Sequence, residues 1–176
     1  AGSCPSSMSA LLHDKEANIN VCFKLSVESS GIIKVKASLK NLDDTEYAVD
    51  SVLIGLPTPA NESCVLDQNG HHLREHDISR HEFTIGSHQR EIYVGRGHTV
   101  STIHGSCEPH TSWESGQVHY VHVAWSGNTR TIAEKDTQGF QGMLAGEILF
   151  PGEVILKKND VYSTPWIIGT WGDGLN

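Results

Sequence analysis

Apolar residues recur at every second position through much of this 176-residue chain, and that period limits what it can fold into more than any other feature. Val21, Phe23, Leu25 and Val27 alternate with Cys22, Lys24 and Ser26. Ile33, Val35, Ala37 and Leu39 alternate with Lys34, Lys36, Ser38 and Lys40. A strand sends successive side chains to opposite faces, so each run reads as a half-buried strand. The matching alternation predicts that the two pair through Glu28-Ser29-Ser30-Gly31.

Similar runs predict strands over residues 47–54, 64–66, 83–85, 92–94, 98–103, 118–125, 129–133, 143–150, 154–156 and 161–171. Turn signals separate them. Gly55-Leu56-Pro57-Thr58-Pro59 breaks a ladder because proline cannot donate to it, and Asn69-Gly70 is a strong tight-turn signal. Residues 8–16 give the best helical signal, about two turns. The expectation is an all-β, immunoglobulin-like antiparallel β-sandwich of about nine or ten strands, with at most one short N-terminal helix. Residues 1–176 read as a single domain; residues 136–176, beyond Asp136-Thr137-Gln138-Gly139, carry the alternative of an appended C-terminal hairpin or tail.

Composition narrows the partners. Thirteen basic residues against 21 acidic ones give a net charge of −8, which disfavours nucleic acid and anionic membrane surfaces. No apolar run approaches the roughly 20 residues of a bilayer span, so none is expected. Cys4, Cys22, Cys64 and Cys107 are widely spaced and form no CxxC pair. They suit two disulfides in a secreted protein, Cys4–Cys22 and Cys64–Cys107 being favoured among three pairings. The Asn61-Glu62-Ser63 sequon makes Asn61 a glycosylation candidate in the same setting.

The chemistry-bearing patterns are few. There is no GxSxG elbow and no GxGxxG loop, and His104-Gly105-Ser106-Cys107 is too short a run to constitute a triad. Eleven histidines are the unusual feature. His71, His72, His76 and His81 cluster near Glu75 and Glu82, which makes them candidate Zn or Cu ligands, although His72-Leu73-Arg74-Glu75-His76 is not HExxH. Ordinary polar surface is the competing reading, and no cofactor is the base expectation. Trp113, Trp166, Trp171 and Tyr162 are candidate ligand-binding aromatics, with packing into the core as the alternative.

The strand of residues 33–39 followed by Lys40-Asn41-Leu42-Asp43-Asp44, the Gly55-Leu56-Pro57 turn, Asp67 to Gly70, Gly97-His98-Thr99-Val100-Ser101 and the strand within residues 116–124 together form a pattern. Over residues 20–125 it resembles the companion β-sandwich of deuterolysin-family fungal zinc endopeptidases. The HExxH of that family's catalytic half is absent here. The resemblance therefore implies a secreted sandwich and no peptidase activity.

These readings combine into an expected function: a secreted, non-enzymatic module that binds a protein partner through its loops in an inhibitory, accessory or host-interaction role. Two alternatives stay open. One is a carbohydrate-binding module that takes a glycan on exposed Trp and Tyr, and the other is a His-based Zn/Cu-binding protein.

Overall fold

The computed structural model describes residues 6–95 and 103–176. Fifteen strands and no helix occupy the described residues: β1 (Ser6–Asp14), β2 (Ile19–Val27), β3 (Ile33–Asn41), β4 (Tyr47–Ala48), β5 (Ile54–Pro57), β6 (Cys64–His71), β7 (Arg74–Glu82), β8 (Gly86–Ile92), β9 (His104–Cys107), β10 (Gln117–Ala124), β11 (Thr129–Lys135), β12 (Gln141–Glu147), β13 (Ile155–Leu156), β14 (Val161–Ser163) and β15 (Trp166–Asp173). They form a nine-stranded sheet in the order β1-β2-β3-β15-β10-β9-β6-β7, with β14 beside β3. A four-stranded sheet, β5-β12-β11-β8, packs against it, and β13 and β4 make a small pair. The molecule is an all-β antiparallel sandwich with more strands than the alternation alone marks out.

Local chemistry explains the hairpins. Val27 pairs with Ile33 across the turn expected at residues 28–31, where Gly31 takes the left-handed φ of 88° that suits glycine. Between β11 and β12, the Asp136 carboxylate accepts from the backbone N–H of Gln138 and Phe140, at 2.8 and 2.9 Å. Such an aspartate turns the chain by hydrogen-bonding its own downstream backbone. Pro165 falls in the break between β14 and β15, where no ladder bond is asked of it.

Two local expectations are corrected. Residues 8–16 are largely strand: Met8, Ala10 and Leu12 stand opposite Leu25, Phe23 and Val21, and pairing with β2 overrides a weak helical propensity. Asn69-Gly70 is not the turn. β6 runs on to His71, and a register irregularity lies between Asn69 and His71. A Cβ on Gly70 would lie 3.0 Å from Arg74 O and His76 N, so the glycine serves a close backbone approach within the hairpin. Most of the strand expected over residues 98–103 lies outside the described residues, as does Cys4.

The disulfide expectation is corrected as well. Cys22, Cys64 and Cys107 are free thiols. Cys64 and Cys107 face each other across β6 and β9, where Cys107 packs with Leu66 and Val118 on the outer face of the large sheet. Cysteine behaves there as a small hydrophobe. Burial, with Cys64 adding to it, pushes the Cys107 thiol up to about 11, which leaves it protonated and unreactive at neutral pH. The cysteine argument for an oxidising compartment goes with the bridges.

The main core lies between the sheets. Val35, Ala37, Val121, Val123 and Ile167 of the large sheet meet Ile54, Ala133, Met143 and Ala145 of the small one. β15 sits between β3 and β10, at the centre of the larger layer. Ile167 is fully buried there. Ile167→Ala should lower the unfolding free energy by about 2–5 kcal/mol. Lys15→Ala, in the exposed β1–β2 turn, should change it by no more than about 0.5 kcal/mol. Urea denaturation of the two variants measures both.

Candidate functional site

The inner face of the large sheet turns polar toward its β7 edge. Strand alternation puts Val65, Asp67 and Asn69 of β6 on that face. Their neighbours follow from the register: His81 opposite Val65, and both Ser79 and His104 opposite Asp67. On the small sheet, His88 and Arg90 of β8 pair with the core residue Ala133 and with Thr131 of β11. The two layers therefore present polar side chains to each other at this edge.

Asp67 is the centre of the seam. It is 1% exposed. Arg90 donates to its Oδ2 from the guanidinium and also to Asn69 Oδ1. His88 Nε2 lies 3.2 Å from the same Oδ2 and His81 Nε2 lies 4.0 Å from it. The His81 and His88 rings stack with centroids 4.7 Å apart, and His104 meets His88 edge-on at 5.5 Å. Burial pushes the Asp67 carboxyl up, but hydrogen bonds from Arg90 and His88 and the Arg90 charge outweigh it and hold the group below the usual range. Among the described residues, Asp67 Oδ1 and His104 Nε2 are buried without a hydrogen-bond partner.

A second buried carboxylate, Glu62, lies in the loop between β5 and β6. It accepts from the Ser106 hydroxyl, and His119 Nδ1 lies against its other oxygen. Gln141 Nε2 donates to the Glu62 and Pro59 carbonyls at 2.8 and 2.6 Å, which fixes that loop. Ser106 points its proton at Glu62 rather than at a histidine, so this group is not a serine–histidine relay. His119 also lines an apolar cleft of about 180 Å³ between the layers, with Leu56, Pro57, Thr58, Met143 and Trp171.

The structure does not bring the sequence-predicted residues together as one site. His71, His72 and His76 sit exposed around the β6–β7 turn, whereas His81 lies at the other end of that hairpin in the Asp67 seam. Trp166 and Trp171 are five positions apart on β15 and so face opposite sides of the sheet. Trp166 shares its face with Lys36, whose ammonium lies 5.9 Å from the ring; Trp171 enters the inter-sheet cleft. Trp113 is exposed in the β9–β10 loop, and Tyr162 gives its hydroxyl to Glu147. Asn61 is exposed and donates to Glu108 Oε1 at 2.8 Å. Asp67, His88, Arg90 and Glu62 were not singled out by sequence; the available signal was polar residues on the strand face that carries Val65.

With this geometry in place, comparison with known proteins is decisive. The model of the glycosyl hydrolase family 36 N-terminal domain matches residues 5–157. The chain belongs to that family. It is 32% identical over 167 residues to an alpha-galactosidase of Escherichia coli, covering 93% of this chain and 23% of that protein. The GH36 alpha-galactosidase AgaA of Geobacillus stearothermophilus superposes with a TM-score of 0.86 at 17% identity, over 97% of this chain and 24% of its own. The alpha-galactosidase of Lactobacillus brevis gives 0.84 at 18% identity, over 97% and 23%. This GH36 N-terminal domain thus spans about a quarter of the length of the relatives it matches.

Three readings are corrected by this finding. The deuterolysin resemblance gives way to the GH36 family: its strand-and-turn pattern is one that antiparallel sandwiches share. The chain is not a secreted non-enzymatic binding module, and neither sugar binding on Trp and Tyr nor metal binding on His describes its function better. It belongs to a family of enzymes, where the sequence reading excluded an enzyme.

The seam makes the sandwich acid-sensitive. Burial, partly opposed by the Asp67 charge, pushes His104 down to about 4. The unfolded chain takes up that proton near pH 6.5 and the folded chain only near 4, so stability falls as the pH drops through this window. The loss from His104 should reach about 3 kcal/mol by pH 4. Urea unfolding from pH 7 to 4 should show the decline, and His104→Gln should flatten it.

Proposed function

We propose that this chain serves as the N-terminal β-sandwich of an α-galactosidase, and that the bond-breaking residues of the enzyme lie outside it. The family match over residues 5–157 carries this reading. Variants of AgaA have been solved in complex with raffinose and with stachyose, which makes α-galactosyl oligosaccharides the substrate class proposed here.

The chemistry of the described residues supports the division of labour. Glycoside hydrolysis uses two carboxyl groups that flank the scissile bond and are free to protonate a leaving group or attack a sugar. The two fully buried carboxylates, Glu62 and Asp67, are instead held by Ser106 and His119 and by Arg90 and His88. The exposed edge strand β1, with Met8, Leu11 and Leu12 open to solvent, also fits a domain packed against further protein.

Galactose release from raffinose and from an aryl α-galactoside tests the reading. The natural polypeptide that contains this sequence should release galactose from both, and the 176-residue chain alone should release none. A natural polypeptide without α-galactosidase activity would refute the assignment, and turnover by the chain alone would refute the division of labour.

A further inference from the structure

We infer that Asp67, His81 and His88 form an accessory site for one divalent transition cation of the zinc type, for which Arg90 competes. The site is independent of the catalytic reading above, since it rests on three side chains within this domain.

The donor set comes first. One ligand atom from each of Asp67, His81 and His88 lies within 4.8 Å of the other two. Tetrahedral zinc with bonds of about 2.0–2.1 Å keeps its ligand atoms roughly 3.3 Å apart. The separation of His88 Nε2 from Asp67 Oδ2, 3.2 Å, already matches, and the 4.0 Å of His81 Nε2 closes with a small side-chain adjustment. Two imidazole nitrogens and one carboxylate oxygen suit zinc and its neighbours, whereas Mg2+ and Ca2+ take oxygen ligands.

Two further observations point to a ligand. Asp67 Oδ1 is buried, in a residue 1% exposed, and no group among the described residues bonds to it. That oxygen is distinct from Oδ2, which the imidazoles approach, and it leaves the carboxylate with a free oxygen for an ion while Arg90 keeps Oδ2. The site is also reachable. His81 and His88 have 43% and 35% of their side chains exposed, and they belong to β7 and β8, the edge strands of the two layers. An ion can enter there without disturbing the apolar core.

Arg90 sets the affinity. Its guanidinium donates to the carboxylate oxygen that the two imidazoles approach, and it cannot shed its charge. Adding a dication beside it is opposed by charge repulsion, so binding should be micromolar and weaker than that of a dedicated structural zinc site. Removing the guanidinium should tighten binding by roughly tenfold or more.

Calorimetric titration of the protein with ZnCl2 at pH 7.5, with thermal unfolding alongside, tests the proposal. Zn2+ should bind one-to-one and raise Tm, and Mg2+ should do neither. His81→Ala and His88→Ala should each weaken binding by roughly tenfold or more, and Asp67→Asn should do the same if it folds. Arg90→Gln should tighten it. A variant with His71→Ala, His72→Ala and His76→Ala at the hairpin tip should bind as the parent does. The absence of saturable Zn2+ binding, affinity that survives both His81→Ala and His88→Ala, or affinity lost in the tip variant would overturn the site. Unchanged affinity in Arg90→Gln would overturn the competition.

Discussion

A single negative charge, the carboxylate of Asp67, is carried into the gap between two sheets, and the surrounding side chains are arranged around it. An unpaired carboxylate in such a place would cost several kcal/mol. Arg90 crosses from the opposite layer to meet it, His88 follows from the same strand, and Ser79 and His104 flank it on the neighbouring strands. The pairing joins β6 to β8 where the apolar core thins out, and thereby closes one open edge of the sandwich.

That edge exists because the layers are unequal. Four strands cannot cover nine. The small sheet lies over the middle of the large one, β12 against β10 and β11 against β9, and the tightly packed core is confined to that overlap. At one end the overhanging β1 leaves Met8, Leu11 and Leu12 exposed; at the other, polar groups replace the missing apolar cover. The buried carboxylates Glu62 and Asp67 are both held by side chains of this sandwich, Glu62 by Ser106 and His119 and Asp67 by Arg90 and His88.

Much of the fold was legible because alternation is a direct image of burial. Residues 21–27 and 33–39 pair in the register that their periodicity implies, with Val27 beside Ile33 and Leu25 beside Val35. The failures have physical causes. Met8, Ala10 and Leu12 alternate too, but Leu11 between them blurs the period, and only pairing with β2 decides for strand. Asn69-Gly70 carries a turn signal, but the glycine answers a close backbone approach and the turn itself falls beyond it. The four cysteines suggested bridges by number alone, whereas Cys64 and Cys107 pack as small apolar side chains. The polar seam was hidden for a deeper reason: His81 was grouped with His71, His72 and His76 because they are near in sequence, and only the facing of two sheets puts it with Asp67, His88 and Arg90. No short sequence motif announced the family; it was the match over residues 5–157 that showed it.

A double-mutant cycle on Asp67→Asn and Arg90→Gln, read by urea unfolding at pH 7, bears most directly on this account. If the charge pair closes the sandwich, Arg90→Gln loses about 3–5 kcal/mol because it strands a buried carboxylate, Asp67→Asn loses less because the Arg90 side chain is 35% exposed, and the double variant loses much less than the sum. Strictly additive losses, or single variants as stable as the parent, would show that the two layers do not depend on this contact.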